Sequence, residues 1–303
     1  MDVINKSFLI DIDINYIMKV EIPNIKLNND VEMPVIGLGT WQLTGKTCER
    51  AVRDAILLGY THIDTADFYG NHKEIAKAIH GTDRKKLFIT TKVWYDNLKY
   101  DNVLSSCKRA LEELETNYID LYLIHWPNKS IHFKETFEAL KKLYDEGKVR
   151  AIGVSNFTVG HLEEAKRVCS IPISVNQVEF HPYLNQKELL SYCKKNGIVV
   201  TAYSPLSRGK VNDDKTIIDV AKKYNKTPGQ TTLRWMIDKN IIVIPKASSF
   251  EHLKENLNVF DFKLKKEDAA LIDGLNKNSR MINPDFAEFF LSIGYNIKKV
   301  FKK

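Results

Sequence analysis

The sequence predicts an α/β protein, a single (β/α)8 barrel with an N-terminal β-hairpin. Two observations carry this. Eight short, apolar, β-rich runs recur roughly every 25 to 35 residues, and segments of helical periodicity lie between them. Continuous apolar strands alternating with helices imply a parallel sheet covered by helices. A chain of 303 residues with no linker or composition break suits one closed barrel. A doubly wound open sheet is the second choice.

The elements follow in order. Residues 1–18 precede the regular pattern; aspartates interrupt their mild apolarity and no small-residue cleavage site follows, so they read as a leader and not a signal peptide. "IPNIKLNNDVEMPVI" reads as a hairpin turning at "NND", capping one end of the barrel. Barrel strands are then expected at "VIGLGTW", "THIDTA", "LFITTKVW", "IDLYLIHW", "RAIGVSNF", "SVNQVEF", "IVVTAYSPL" and "IIVIPKA". Helices are expected at "TCERAVRDAILLG", "HKEIAKAIH", "DNVLSSCKRALEELE", "ETFEALKKLYDEGK" and "QKELLSYCKKNG", several closed by glycine or asparagine as a left-handed cap requires. "TPGQTTLRWMIDKN" reads as an extra or extended element before the eighth strand. The barrel unit spans residues 19–280. Residues 281–303 form a divergent C-terminal segment that either drapes over the pocket or stays loose.

Composition narrows the function. The hydrophobic fraction of 44% and charged fraction of 27% are ordinary for a globular protein. The net charge of +7 (45 basic minus 38 acidic residues) is scattered without a basic-aromatic stripe, which suits an anionic small ligand and not nucleic acid. Cys48, Cys107, Cys169 and Cys193 stand far apart, arguing against disulfides or a zinc site and for a reducing cytosol. No run of eighteen apolar residues suggests a membrane span. A monomer is favoured over an oligomer.

Barrel sites form at the C-terminal ends of the strands. Read in order, the strand tips carry Asp64, Lys92, His125, Ser155 with Asn156, Gln177, Tyr203 and Lys246. So many polar tips on one rim make a site. Carbonyl reduction by hydride transfer needs a proton donor near neutral pH, and a tyrosine, with an ordinary pKa of about 10, holds its proton too firmly. A buried lysine favours the phenolate and lowers that pKa, and an aspartate keeps the lysine charged. Tyr69, Lys92 and Asp64 supply these roles, with His125 orienting the substrate oxygen or assisting proton transfer.

The strings "DTADFYGN", "TTKVW", "LIHWP", "GVSNF", "VNQVEFHP", "AYSPL" and "IPKAS", in this order, resemble the aldo-keto reductase family over nearly everything but the two ends. The resemblance implies a TIM barrel that binds NADPH and reduces aldehydes or ketones, a small carbonyl compound being the substrate. It also implies a catalytic tetrad of Asp64, Tyr69, Lys92 and His125. Ser155, Asn156 and Gln177 would bind the nicotinamide carboxamide, with Tyr203 stacked on the ring. Ser204 and Leu206 would meet the pyrophosphate, Lys246 and Ser248 the adenosine phosphate, and Glu255 and Asn256 the adenine. Trp41, Trp94 and Trp126, with His125, would wall the substrate pocket.

Two positions depart from the family pattern. Ala247 and His252 stand where strong NADPH binders carry serine and arginine, so NADH is expected to serve as well. His72 stands where glutamate is frequent; it sits on the next helix and should not touch the tetrad. "GLGTWQ" mimics a dinucleotide fingerprint but has Gln42 for the third glycine. "HID" resembles a metal-hydrolase strand, but His62 has no matching histidine pair, and no metal is expected. The alternative from another class is a cofactor-sensing regulatory module without important turnover.

Overall fold

The computed structural model describes residues 20–282. The leader and all of the C-terminal segment beyond Ile282 lie outside the described residues. The predicted hairpin is formed by β1 (Asn24–Lys26) and β2 (Glu32–Pro34), with Ile25 opposite Met33. The barrel strands are β3 (Leu38–Gly39), β4 (His62–Asp64), β5 (Phe88–Val93), β6 (Ile119–Ile124), β7 (Val149–Ser155), β8 (Ile173–Glu179), β9 (Val199–Tyr203) and β10 (Ile242–Val243). Each pairs in parallel with the next in chain order. The ring closes where Gly37 N donates to Val243 O at 2.9 Å and Val243 N to Val35 O at 3.0 Å. A doubly wound sheet would reverse its strand order and leave these edges apart.

The glycines of "GLG" serve that closure. A Cβ on Gly37 would stand 2.4 Å from the His62 ring, and one on Gly39 would stand 2.5 Å from Ile244 O. The motif that imitates a phosphate-binding loop is a pair of close backbone approaches in a barrel wall.

Alternation along the strands divides the structure into two cores. Outward residues such as Ile63, Ile89, Tyr122, Ile124, Ile152 and Val200 pack under the helices. Inward residues Phe88, Leu121, Leu123, Ala151, Val175 and Ile242 fill the barrel floor, which Leu27 and Met33 of the hairpin plug from below. Two to four residues further along the same inward rows stand Asp64, Lys92, His125, Ser155, Gln177 and Tyr203. Apart from β4, where buried His62 lies below Asp64, the rows are mainly apolar at the bottom and polar at the top.

The helices are α1 (Gly45–Leu58), α2 (His72–Ile79), α3 (Tyr100–Glu113), α4 (Phe133–Asp145), α5 (Val159–Val168), α6 (Lys187–Lys195), α7 (Lys215–Lys223), α8 (Pro228–Ile237), α9 (Phe250–Leu257) and α10 (Lys266–Asp273). Helix α1 ends on Gly59 at φ 104°, the expected left-handed cap. "TPGQTTLRWMIDKN" supplies the layer helix α8, started by a Thr227–Gln230 capping box with Pro228 at its first position. The additional helices are α7 and α10, which pack together.

Candidate active site

The strand tips open into a cavity of about 660 Å³. At its floor Lys92 is wholly buried, and its Nζ donates to Asp64 Oδ1 at 2.6 Å and to Thr65 O at 2.8 Å. The second carboxylate oxygen of Asp64 accepts from Gln177 Nε2 at 2.7 Å. Burial raises the Asp64 carboxyl and lowers the Lys92 ammonium, and in each case the partner's charge opposes the shift. Three bonds thus satisfy an ion pair that would otherwise be costly to bury.

Tyr69 ends a short 3₁₀ turn, Asp67–Tyr69, directly after β4, and its hydroxyl lies 3.5 Å from Lys92 Nζ. The turn is pinned by the buried Asn71: its Nδ2 donates to Thr40 O (3.1 Å) and Leu43 O (3.0 Å), and its Oδ1 accepts from Thr65 Oγ1 (2.7 Å). The expectation of a lowered Tyr69 pKa is not met. Burial holds the hydroxyl well above the usual phenol range, and the charge of Asp64 adds to this. Lys92 is already committed to Asp64 and Thr65 and meets the hydroxyl only at the limit of hydrogen bonding. In the resting site Tyr69 keeps its proton.

His125 lies edge-on to the Tyr69 ring, with centroids 5.7 Å apart. Burial, helped by the charge of Lys92, pushes its pKa well down, so the imidazole is neutral and carries one N–H. The next layer is a relay of amides. Asn156, at φ 64°, donates from Nδ2 to His125 O (3.0 Å) and Ser155 Oγ (3.1 Å), while its Oδ1 accepts from Tyr203 OH at 2.8 Å. The wall beyond is aromatic: Trp94 stacks on Phe68 at 3.9 Å, and Phe68 on Trp41 at 5.7 Å.

The cavity brings together Asp64, Tyr69, His125, Ser155, Asn156, Gln177, Tyr203, Ser204, Leu206, Lys246 and the three tryptophans, with Lys92 beneath. It does not bring in Ser248, His252, Glu255 or Asn256, which sit on or just before α9. The His252 side chain is 73% exposed, with Nδ1 3.4 Å from Glu255 Oε2. Sequence reasoning missed Phe68, Arg208 and Ile282 as wall residues. Phe68 was signalled by its place beside Tyr69; Ile282 opens the divergent segment, for which draping over the pocket was one of the two expectations, but nothing singled out the residue.

The other singled-out histidines stay clear of the tetrad's hydrogen bonds. His62 Nε2 lies 3.1 Å from Thr90 Oγ1 in the barrel interior, and burial brings its pKa down to about 3. His72, the first residue of α2, contacts Glu113 Oε2 at 3.1 Å and Thr91 Oγ1 at 2.8 Å. Among the described residues no cluster of three His, Cys, Asp or Glu is placed to hold a metal ion, and no helix is long and apolar enough to cross a membrane.

The profile of the Aldo/keto reductase family matches residues 35–277. The chain belongs to this family. It is 46% identical over 265 residues to the glyoxal reductase of Bacillus subtilis (strain 168), covering 86% of this chain and 96% of the relative. Among solved structures, an aldo-keto reductase from a Medee basin deep-sea metagenome library superposes with a TM-score of 0.84 at 42% identity, over 86% of this chain and 97% of the other. A Bombyx mori aldo-keto reductase in complex with NADP superposes with a TM-score of 0.83 at 36% identity, over 89% of this chain and 98% of the other. Like other members of the family, the chain is an oxidoreductase built on a (β/α)8 barrel.

Proposed function

We propose that this protein uses NADPH, and less readily NADH, to reduce small aldehydes or ketones to alcohols, with Tyr69 as general acid. One observation carries the reading: the protonated Tyr69 hydroxyl sits on the cavity beside a neutral His125, with the Lys92–Asp64 pair directly behind it. The residues present fit the cofactor. Tyr203 lines the cavity with its hydroxyl tied to Asn156, and Gln177, with its amide N–H committed to Asp64, keeps Oε1 as an acceptor for a carboxamide N–H. Lys246 and Arg208 bring positive charge to the cavity, as a phosphate-bearing ligand requires. Ser155, Asn156, Ser204 and Leu206 complete that lining, and Ser248, His252, Glu255 and Asn256 are assigned to the adenosine end.

The cofactor, when bound, supplies the hydride to the carbonyl carbon. The His125 N–H holds the carbonyl oxygen toward Tyr69, which gives up its proton as negative charge develops there. A developing alkoxide is a far stronger base than a phenolate, so a hydroxyl with a raised pKa still donates. The phenolate left behind faces the Lys92 ammonium at 3.5 Å, and Asp64 keeps that ammonium charged and in place. A module that only sensed cofactor would have no use for this proton donor. The aromatic wall and the likeness to a glyoxal reductase support small aldehydes and dicarbonyls as substrates. Residence in a reducing cytoplasm suits the four free cysteines. The test is loss of NADPH absorbance over a panel of small carbonyls; no turnover of any of them would refute the reading.

A further inference from the structure

Two residues past Gln177 on the same inward row of β8 stands Glu179, a carboxylate outside the chemistry above. It is 1% exposed, at a depth where a charge without partners is strongly disfavoured. Its partners come from two places. His181, equally buried, has Nε2 2.9 Å from Glu179 Oε1. The backbone N–H groups of Met281 and Ile282 donate to Oε1 and Oε2 at 2.7 and 2.9 Å. The chain leading to these residues lies along the loop after β8: Lys277 N and Ser279 N both donate to Tyr183 O, at 3.1 and 3.0 Å, and Asn276 Oδ1 accepts from Asn185 N at 3.1 Å. Ile282 then packs its side chain into the aromatic cluster of Trp126, Tyr95, Trp94 and Phe68 on the cavity wall.

We propose that Glu179 is a positioning residue for substrate specificity: its carboxylate clamps the 281–282 amides so that Ile282 forms one wall of the carbonyl pocket. The bonds go to main chain, so the clamp sets where the wall stands while the residue at 282 sets its shape. Substrates large enough to reach that wall, such as aromatic aldehydes, gain affinity from it, and a two-carbon dicarbonyl does not. The kinetic consequence rests on the carbonyl-reductase reading; the clamp itself does not.

The first arm of the test is amide hydrogen exchange on the full chain. In Glu179→Gln the side-chain NH₂ opposes one of the two backbone donors, and exchange at 281 and 282 should accelerate at least about tenfold. Unchanged protection overturns the proposal. If that variant does not fold, Met281→Pro deletes one donor without touching the buried carboxylate, and the same loss of protection at 282 is expected. The second arm is kinetic. Glu179→Gln should raise KM for benzaldehyde about tenfold, the scale of a lost apolar contact, with kcat within twofold of wild type. Combined with Ile282→Ala it should add nothing to the effect of Ile282→Ala alone; additive penalties overturn the proposal. A wild type that reduces no carbonyl defeats the functional reading only, since amide exchange still reads the clamp.

Discussion

Tyr69→Phe separates chemistry from architecture. The substitution removes one oxygen whose described contact is to Lys92 Nζ at 3.5 Å. Lys92 keeps its bonds to Asp64 and Thr65, and the phenyl ring keeps its packing against Trp41, with centroids 4.8 Å apart, and against His125. Stability should therefore change by less than about 1 kcal/mol, since no strong hydrogen bond is lost. The rate should not survive. A positioned general acid contributes about 10²–10⁴, or roughly 3–5 kcal/mol of barrier. The assay is kcat for NADPH-dependent reduction, set beside NADPH affinity from fluorescence titration and a urea melt of each protein. The expected result is a rate lower by at least about a hundredfold, with affinity and melt close to wild type. Because burial and Asp64 raise the hydroxyl's pKa, wild-type reduction should also hold its rate into mildly alkaline solution. A variant retaining more than a tenth of kcat would refute the assignment and move the acid to another group.

Three further outcomes are expected. His252→Arg should raise the kcat/KM preference for NADPH over NADH several-fold through KM; an unchanged ratio at one alkaline pH would remove His252 from the 2′-phosphate site. His62 is neutral in the fold, with a pKa of about 3 against roughly 6.5 unfolded, so the unfolded chain binds the extra proton and stability falls with pH from about 6.5 down to 3. Between pH 7 and pH 5 this amounts to about 2 kcal/mol, and urea melts of His62→Gln should lose less over that interval by this amount. Gly39→Ala should cost about 2–3 kcal/mol in the same melt, because its Cβ would press on Ile244 O where the barrel closes.

Much of this was legible because two-residue alternation is a local property. Once β5 is recognised, Phe88 on the floor commits Lys92 to the rim, and the same step runs from Val175 to Gln177 on β8. What escaped depends on the third dimension. Lys92 and Asp64 beside Tyr69 suggested a lowered pKa; burial and the ordering of Lys92 toward Asp64 reverse the direction. Gln177 was read as a cofactor ligand alone, and its bond to Asp64 joins residues 113 positions apart. The wall residue Ile282 is held by backbone N–H groups, which every residue but proline possesses, so no side-chain pattern announced it. Closure through two-residue strands such as β3 and β10 likewise rests on neighbours and not on propensity.

Asn71 ties the loop bearing Trp41 to the turn bearing Tyr69 through one amide group. The distance between the Tyr69 hydroxyl, the proposed proton donor, and the first wall of the pocket is thereby set beneath the surface, by a side chain that does not line the cavity. Trp41 also packs on the Tyr69 ring, with centroids 4.8 Å apart, so the amide anchor and the ring contact hold the hydroxyl together. The stretch from Asp64 to Asn71 and the loop before it are held as one unit beneath the pocket wall.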